Sequence, residues 1–302
     1  MEKQKLLFIK SVISKLPVMK NIALKQITDY ILKVIVPEKI VCFGSTVTHT
    51  VNNSCFIKEQ HTANPASYCL LIVPQAKERL ADLVIQQTIE RNCQTLASVT
   101  VIVHRMEEIN RALQSGSSFF TAIYKKGLLV HDLGNEDFAV PLSGQSMNKR
   151  IIRREAFWNQ WFKLSSDFML GARFYASQQV NNLAVFMLHQ SLQHCYSGML
   201  RILTGYRTNS NSLRRLLKFI ENGLPGSSFT SLDVHTPEEA RLLDILLKGY
   251  SEARYKKGFE IKAEEVTELL NRVQQILHQA DLICREKIKS VKAEQLPDIK
   301  TS

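Results

Sequence analysis

The stretch Lys39-Ile-Val-Cys-Phe-Gly-Ser45, followed by Ser67-Tyr-Cys-Leu-Leu-Ile-Val73, decides the fold of the first half of the chain. Both are short apolar runs bounded by turn-forming residues, which is typical of buried β-strands. Gly44 and Ser45 predict a turn that ends the first strand, and Pro74 closes the second. We therefore expect a sheet that contains both runs.

The segments around these strands alternate between helical and strand patterns. Residues 3–35 have apolar side chains at helical spacing, whereas residues 46–66 are polar and irregular, with an edge strand expected near 55–58. After Pro74 the pattern predicts helix 76–92, strand 98–104, helices 106–115 and 119–126, and strand 128–131. This alternation predicts a small α/β domain over residues 1–135. Residues 134–147 have the composition of a linker.

The second half of the chain has helical periodicity and no convincing strand. Thr236, Pro237 and Glu239 form the sequence signature of a capping box, which predicts a sharp helix start. The predicted helices cover about 148–178, 180–204, 210–221, 236–255 and 263–288. Five helices joined by short connections predict an all-α bundle over residues 147–290.

Composition is that of an ordinary globular protein, with 302 residues, 45% hydrophobic and 22% charged. The apolar runs are far too short to span a bilayer, and Lys10 and Lys15 interrupt any signal-peptide core. The six cysteines are scattered, without a CxxC pair, as expected of reduced thiols. We therefore expect a cytoplasmic protein without a membrane partner.

The net charge is +11, and most of the excess lies in the second half. Residues 1–146 carry 16 Lys and Arg against 12 Asp and Glu, and residues 147–302 carry 23 against 16. A basic surface favours phosphate-bearing partners, and a solvated basic face is the alternative. The cations of the second half include Lys149, Arg150, Arg153, Arg154, Arg207, Arg214, Arg215, Lys218, Lys256 and Lys257.

Residues 37–45, Pro-Glu-Lys-Ile-Val-Cys-Phe-Gly-Ser, resemble the opening of the nucleotidyltransferase superfamily. The resemblance implies that the Gly-Ser turn holds a nucleoside triphosphate and that two acids on the next strand bind metal ions. Ser67 and Cys69 stand at the matching positions, and Val99–Arg105 contains no acid. Neither Ser67 nor Cys69 can hold Mg²⁺ as a carboxylate does. We therefore expect a degenerate domain with no metal, no cofactor and no nucleotidyl transfer, in which Cys69 is a small buried hydrophobe.

Four short motifs in the second half carry a further resemblance: residues 184–191 (Ala-Val-Phe-Met-Leu-His-Gln-Ser), 204–206 (Thr-Gly-Tyr), 211–213 (Asn-Ser-Leu) and 252–255 (Glu-Ala-Arg-Tyr). In these motifs the second half resembles the HEPN family (higher eukaryotes and prokaryotes nucleotide-binding). HEPN ribonucleases carry an arginine followed four to six residues later by a histidine. Arg254 is the matching arginine, but residues 259–261 are Phe, Glu and Ile. The histidine of that motif is therefore absent.

The candidate ligand-binding residues are Gly44 and Ser45 in the first half, and His189, Gln190, Arg254 and Tyr255 in the second. The alternative for His189 is a structural histidine in the core. We expect a catalytically degenerate module that binds a nucleotide or RNA; an active enzyme and a purely structural partner are the alternatives. A homodimer through the C-terminal bundle is expected from the aromatic and apolar residues of its first helix, namely Ile151, Phe157, Trp158, Trp161, Phe162 and Phe168.

Overall fold

The computed structural model describes most of the chain, and its internal contacts divide the protein into two compact units. One holds residues 1–144 and the other holds most of 145–302. We call them the α/β unit and the helical unit, and describe each by itself. The described residues are 22–47, 51–54, 67–142, 147–208, 210–223, 236–252 and 260–293.

The α/β unit follows the predicted alternation of helices and strands. Residues 3–21 of the first predicted helix lie outside the described residues, and the helix predicted over 76–92 begins at Asp82. The strands at 67–74 and 98–103 and the two short helices after them lie within a residue or two of their predicted bounds. The edge strand forms at 51–54, and the predicted location 55–58 lies outside the described residues. The elements are α1 (Ile22–Val34), β1 (Pro37–Val47), β2 (Val51–Ser54), β3 (Ser67–Pro74), α2 (Asp82–Asn92), β4 (Ser98–Val103), α3 (Met106–Gln114), α4 (Ser118–Lys126) and β5 (Leu128–Asp132).

The sheet is mixed, with β1 and β3 at its centre. β3 runs parallel to β4, whereas β1 is antiparallel to β2, β3 and β5. One edge of β1 pairs with β3. The other edge is shared by two strands: β5 pairs with residues 39–42 of β1, and β2 pairs with residues 44–47. This is a small mixed sheet with helices, and it does not by itself specify a nucleotidyltransferase fold.

The predicted turn at Gly44 and Ser45 is wrong, because both residues lie inside β1. Gly44 pairs with Ser54 on one side and Cys69 on the other, and Ser45 pairs with Asn53 and Tyr68. Pairing on both edges outweighs the local tendency of a Gly-Ser dipeptide to end a strand. The local irregularity is instead a bulge at Phe43, where the register between β1 and β3 shifts by one residue.

The sheet is covered on both faces, which explains the continuous apolar run of β3. On one face, Leu70 and Ile72 pack in a core with Ile27 and Ile31 of α1 and with α2. On the other face, Phe43 meets Phe119 of α4 edge-on, with ring centres 5.6 Å apart. Every residue of β3 after Ser67 is buried, as expected for a strand buried on two sides.

The stretch after β5 is held against the α/β unit by a buried carboxylate. Glu38 accepts hydrogen bonds from the backbone N–H of Asn135 (2.7 Å) and Glu136 (2.8 Å), and from Asn135 Nδ2. Leu142 N–H donates to the carbonyl of Leu113. The linker-like composition at 134–142 therefore belongs to an ordered polar stretch of this unit.

The helical unit contains the five predicted helices, but the fourth, predicted over 236–255, ends at Lys248. They are α5 (Met147–Ser177), α6 (Asn181–Thr204), α7 (Leu213–Gly223), α8 (Pro237–Lys248) and α9 (Ala263–Ala293). The capping box at Thr236 is confirmed: its hydroxyl accepts from Glu239 N–H, and the Glu239 carboxylate accepts from Thr236 N–H. None of the described helices is both long enough and apolar enough to cross a membrane.

The core of the helical unit is built where α5, α6 and α9 meet. Trp158 is fully buried, and its Nε1 donates to Asp281 of α9 at 2.8 Å. Gly198 of α6 lets α5 approach closely, since a Cβ there would lie 3.1 Å from Trp158 and 3.3 Å from Trp161. Ile151 is also buried. Ile151 and Trp158 therefore belong to the unit's own core, and the expectation that α5 offers them to a dimer is wrong.

Candidate nucleic-acid interface

The predicted site of the α/β unit lies where the second half of β1 meets the start of β3. Thr46 pairs with Ser67, and Gly44 pairs with Cys69. The Gly-Ser dipeptide therefore lies beside Ser67 and Cys69, the two positions where the nucleotidyltransferase pattern has acids. Cys69 is fully buried, as expected for a core thiol. In the described part of the chain, no group of three or more His, Cys, Asp or Glu could hold a metal ion.

His189 joins α6 to the end of α8 inside the helical unit. Its ring is buried, and Nδ1 lies 2.9 Å from the carbonyl oxygen of Leu246. Because a carbonyl only accepts, Nδ1 carries the hydrogen of this bond. The ring also lies 5.7 Å from that of Tyr250. These contacts favour the structural alternative for His189. Arg254 and Tyr255, its predicted companions, lie outside the described residues.

Gln190, the next residue, contacts a side chain on a different side of α6. Its backbone carbonyl accepts a hydrogen bond of 2.8 Å from Nδ1 of His194. The His194 ring stacks on Phe168 of α5, with centres 5.0 Å apart, and lies 5.4 Å from the ring of Trp161. The structure thus separates His189 and Gln190: the first packs towards α8, and the second supports an aromatic cluster against α5.

The aromatic cluster continues along α5 to an arginine of α6. Trp161 lies 5.4 Å from Phe157, and the guanidinium of Arg201 lies over the Phe157 ring at 4.1 Å. These spacings arise because residues three, four, seven and eleven apart share one face of a helix. All five side chains are half-buried. We call this set the aromatic ladder: Phe157, Trp161 and Phe168 of α5 with His194 and Arg201 of α6.

Arg201 lies in a positive environment. Its pKa is lowered below the usual arginine value, mainly by partial burial and further by the positive charge of Arg207. Among the described residues, Arg201 has no carboxylate within ion-pair distance. Arginines elsewhere in this unit do: Arg241 pairs with Glu265, and Arg285 pairs with Asp281.

The sequence around the ladder explains this difference in pairing. Residues 168–220 contain no Asp or Glu over 53 positions. The same stretch carries six basic residues: Arg173, Arg201, Arg207, Arg214, Arg215 and Lys218. A count of acids along the chain would have revealed this stretch. The net charge of the half-chain concealed it, because 14 of the 16 acids of residues 147–302 lie after residue 220.

Most of the helical unit matches a known protein family. The family model described as HEPN domain matches residues 158–283. The match confirms the predicted HEPN domain over those residues. The nucleotidyltransferase-like character of residues 1–135 stays a prediction.

Among solved structures, the chain is similar to an archaeal HEPN homologue, with 19% sequence identity and a TM-score of 0.32. The similarity covers 42% of this chain and 97% of the homologue. No curated protein matches the chain.

Proposed function

We propose that this protein is a catalytically degenerate nucleotidyltransferase–HEPN protein that binds a nucleotide or RNA and acts by association with itself or a partner. The observation that carries the proposal is the acid-free stretch 168–220 with its six basic residues. The HEPN match over 158–283 contains all of it. Binding is assigned to the helical unit.

The physical support is the unbalanced charge. Arg201 and Arg207 repel each other, since the positive charge of Arg207 contributes to the lowered pKa of Arg201. A phosphate-bearing ligand would relieve this repulsion and release its own counterions. The rival interpretation, a solvated basic face, predicts no saturable binding at physiological salt.

The experiment is a fluorescence anisotropy titration of the whole chain with a labelled single-stranded RNA of about twelve nucleotides, with ATP and GTP as competitors. We expect saturable binding that weakens with salt, by a slope of roughly −0.7 per phosphate contact on a logarithmic plot. The double variant Arg207→Ala/Arg214→Ala should bind less tightly. The charge-matched control Arg111→Ala/Lys126→Ala, in exposed positions of the α/β unit, should bind as the wild type does. Absence of binding at low salt would refute the proposal.

The degenerate state of the first domain is proposed from Ser67 and Cys69, which stand where metal-binding acids are expected. Incubation with labelled nucleoside triphosphates and Mg²⁺ or Mn²⁺ should yield no nucleotidyl transfer. The rival proposal is an active nucleotidyltransferase. Metal-dependent pyrophosphate release that is lost on substitution of Gly44 and Ser45 would support that rival.

The ribonuclease alternative depends on Arg254, for which no histidine stands four to six residues later. A HEPN ribonuclease would cut RNA without a metal ion. We propose that RNA incubated with the protein in EDTA stays intact and that Arg254 with Tyr255 contributes to binding alone. Metal-independent cleavage that Arg254→Ala abolishes would reverse this assignment.

Self-association is proposed through the outer face of α5. Ile152, Leu170 and Phe174 are 67%, 68% and 60% exposed. They lie on a different side of the helix from the aromatic ladder, since their positions differ from Phe157 and Trp161 by more than a quarter turn. Exposed apolar side chains on one helix face are typical of an interface between copies.

A further inference from the structure

We infer that the aromatic ladder is a stacking platform for the unpaired bases of a single-stranded nucleic acid, whose phosphates bind Arg201 and Arg207. The inference rests on the proposed function and names the surface and the kind of contact. Its elements are the rings of Phe157, Trp161, Phe168 and His194, joined by ring-to-ring contacts of 5.0–5.4 Å, and the guanidinium of Arg201 at 4.1 Å from Phe157.

The rings are positioned before a ligand arrives. The Cβ of Trp161 lies against Gly198, and His194 is held by its hydrogen bond to the Gln190 carbonyl. Each ring also packs on the next, so that little side-chain entropy is lost on binding. The core itself is filled by Trp158, which is fully buried. The ladder residues are only half-buried, and we assign their exposed part to contact with a base.

The dimensions suit a short single strand. Phe157 and Phe168 are eleven residues apart on α5, which corresponds to ~16 Å along the helix. At the ~3.4 Å rise of a stacked strand, this length accommodates about five nucleotides. Aromatic platforms bind bases with little dependence on sequence, because every base has a π-face.

The arginines supply the second kind of contact. Arg201 is already oriented by Phe157, and its guanidinium has no carboxylate partner among the described residues. Arg207 is exposed and close enough to affect the pKa of Arg201. Guanidinium groups bind phosphate through planar, paired hydrogen bonds. The proposed base stacking and phosphate binding thus meet at Phe157, where the guanidinium of Arg201 lies over the ring.

Charge complementarity favours a nucleic acid over a second copy of this chain. A symmetric contact would bring the same face of two protomers together and oppose their Arg201 and Arg207 groups. The stretch 168–220 offers no acid to balance them. A polyanion balances them directly. The outer face of α5, with Leu170 and Phe174, remains available for association between copies.

The test compares matched variants of the whole chain by fluorescence anisotropy with a labelled twelve-nucleotide single-stranded RNA, the DNA of the same sequence, and the RNA duplex. Trp161→Leu removes the central ring of the ladder, and Tyr124→Leu removes an exposed ring from α4 of the α/β unit. We expect Trp161→Leu to weaken single-strand binding by about fivefold to a hundredfold and Tyr124→Leu to leave it unchanged. Duplex binding should be weaker in the wild type and insensitive to Trp161→Leu, because paired bases cannot stack on the ladder.

A second pair of variants tests the phosphate contact. Arg201→Gln should weaken binding and reduce the salt slope, whereas Arg173→Gln should have a smaller effect, since Arg173 hydrogen-bonds Gln274 of α9 instead. Trp161→Phe keeps a ring and should bind nearly as the wild type does. Equal melting temperatures show that each variant is folded. If Trp161→Leu lowers that temperature, the Trp161→Phe and Arg201→Gln measurements decide the question.

The possible failures are distinguishable. Wild-type binding that is unchanged by Trp161→Leu and Arg201→Gln overturns the ladder as the site but leaves the proposed function intact. Absence of any nucleic-acid binding by the wild type overturns the ladder, and absence of ATP and GTP binding as well overturns both. Loss of a dimer in Trp161→Leu with unchanged RNA affinity identifies the ladder as an interface between copies. Equal affinity for RNA and DNA shows that the shared stacking and phosphate chemistry suffices, and a preference for RNA assigns a contact to the 2′-hydroxyl.

Discussion

The guanidinium of Arg201 lies over the ring of Phe157, 4.1 Å from its centre, and so ties the end of α6 to α5. The contact orients a cation that partial burial and Arg207 would otherwise destabilise. It also places this cation at one end of a series of rings that reaches Phe168 through Trp161 and His194. A single relationship thus connects the packing of two helices with the surface to which we assign binding.

One prediction concerns the pH dependence of the α8–α9 contact. Hydrogen bonding from Arg241 lowers the pKa of Glu265, aided by the backbone N–H of Lys262. A lowered folded-state pKa means that this stabilisation is present above the unfolded-state pKa and is lost as the pH falls through the folded-state value. Glu265→Gln should therefore lower the free energy of unfolding at pH 7 by about 0.5–1 kcal/mol.

The measurement is urea unfolding of the wild type and two variants between pH 7 and pH 3. The difference between wild type and Glu265→Gln should shrink as Glu265 becomes protonated. Glu264→Gln is the control, because it removes a charge from the same first turn of α9 at an exposed position. A Glu265→Gln difference that stays constant down to pH 3 would argue against the ion pair as its cause.

A second prediction concerns two core thiols. Burial is the main reason that the pKa values of Cys195 and Cys284 are raised well above the usual value for a thiol. The thiolate is the reactive form, so both should resist alkylation by iodoacetamide at pH 8 in the native protein. Mass spectrometry of the peptides gives the extent at each site, with the urea-unfolded protein as the control. Rapid labelling of native Cys195 would show that the α5–α6–α9 core opens readily.

A third prediction concerns assembly. Leu170 and Phe174 are among the most exposed apolar residues of the helical unit, and burying them in a dimer removes that surface from water. We expect a dimer by light scattering at micromolar concentration, and a monomer for Leu170→Asp/Phe174→Asp. Val140→Asp, at a 64% exposed position of the α/β unit, should remain a dimer. A wild-type protein that is monomeric at this concentration would contradict the proposed dimer.

Periodicity in the sequence predicts most elements of both units, because most of these helices and strands have a regular apolar pattern and clear stop signals. The bounds of β3 and the capping box at Thr236 are examples. The sequence misassigns Gly44 and Ser45 because a local turn preference carries no information about the strands that pair with both residues, β2 on one edge and the more distant β3 on the other.

The helical unit shows a different limit. Trp158 and Trp161 are identical side chains three residues apart on α5, yet Trp158 is fully buried and Trp161 is only half-buried. Which of them fills the core depends on where Gly198 and Asp281 lie in other helices. A single sequence contains no information on that arrangement. It does contain the acid-free stretch 168–220, which therefore could have been found.

The contrast between the two tryptophans, the only two in the chain, provides the most direct test of the central claim. Single-stranded RNA is titrated into the wild type and into Trp161→Phe while tryptophan fluorescence and anisotropy of the labelled RNA are recorded together. A base stacked on Trp161 should quench wild-type fluorescence with the same midpoint as binding. In Trp161→Phe, binding should persist while the fluorescence of buried Trp158 stays constant. Saturable RNA binding without quenching in the wild type, or equal quenching in both proteins, would contradict the account.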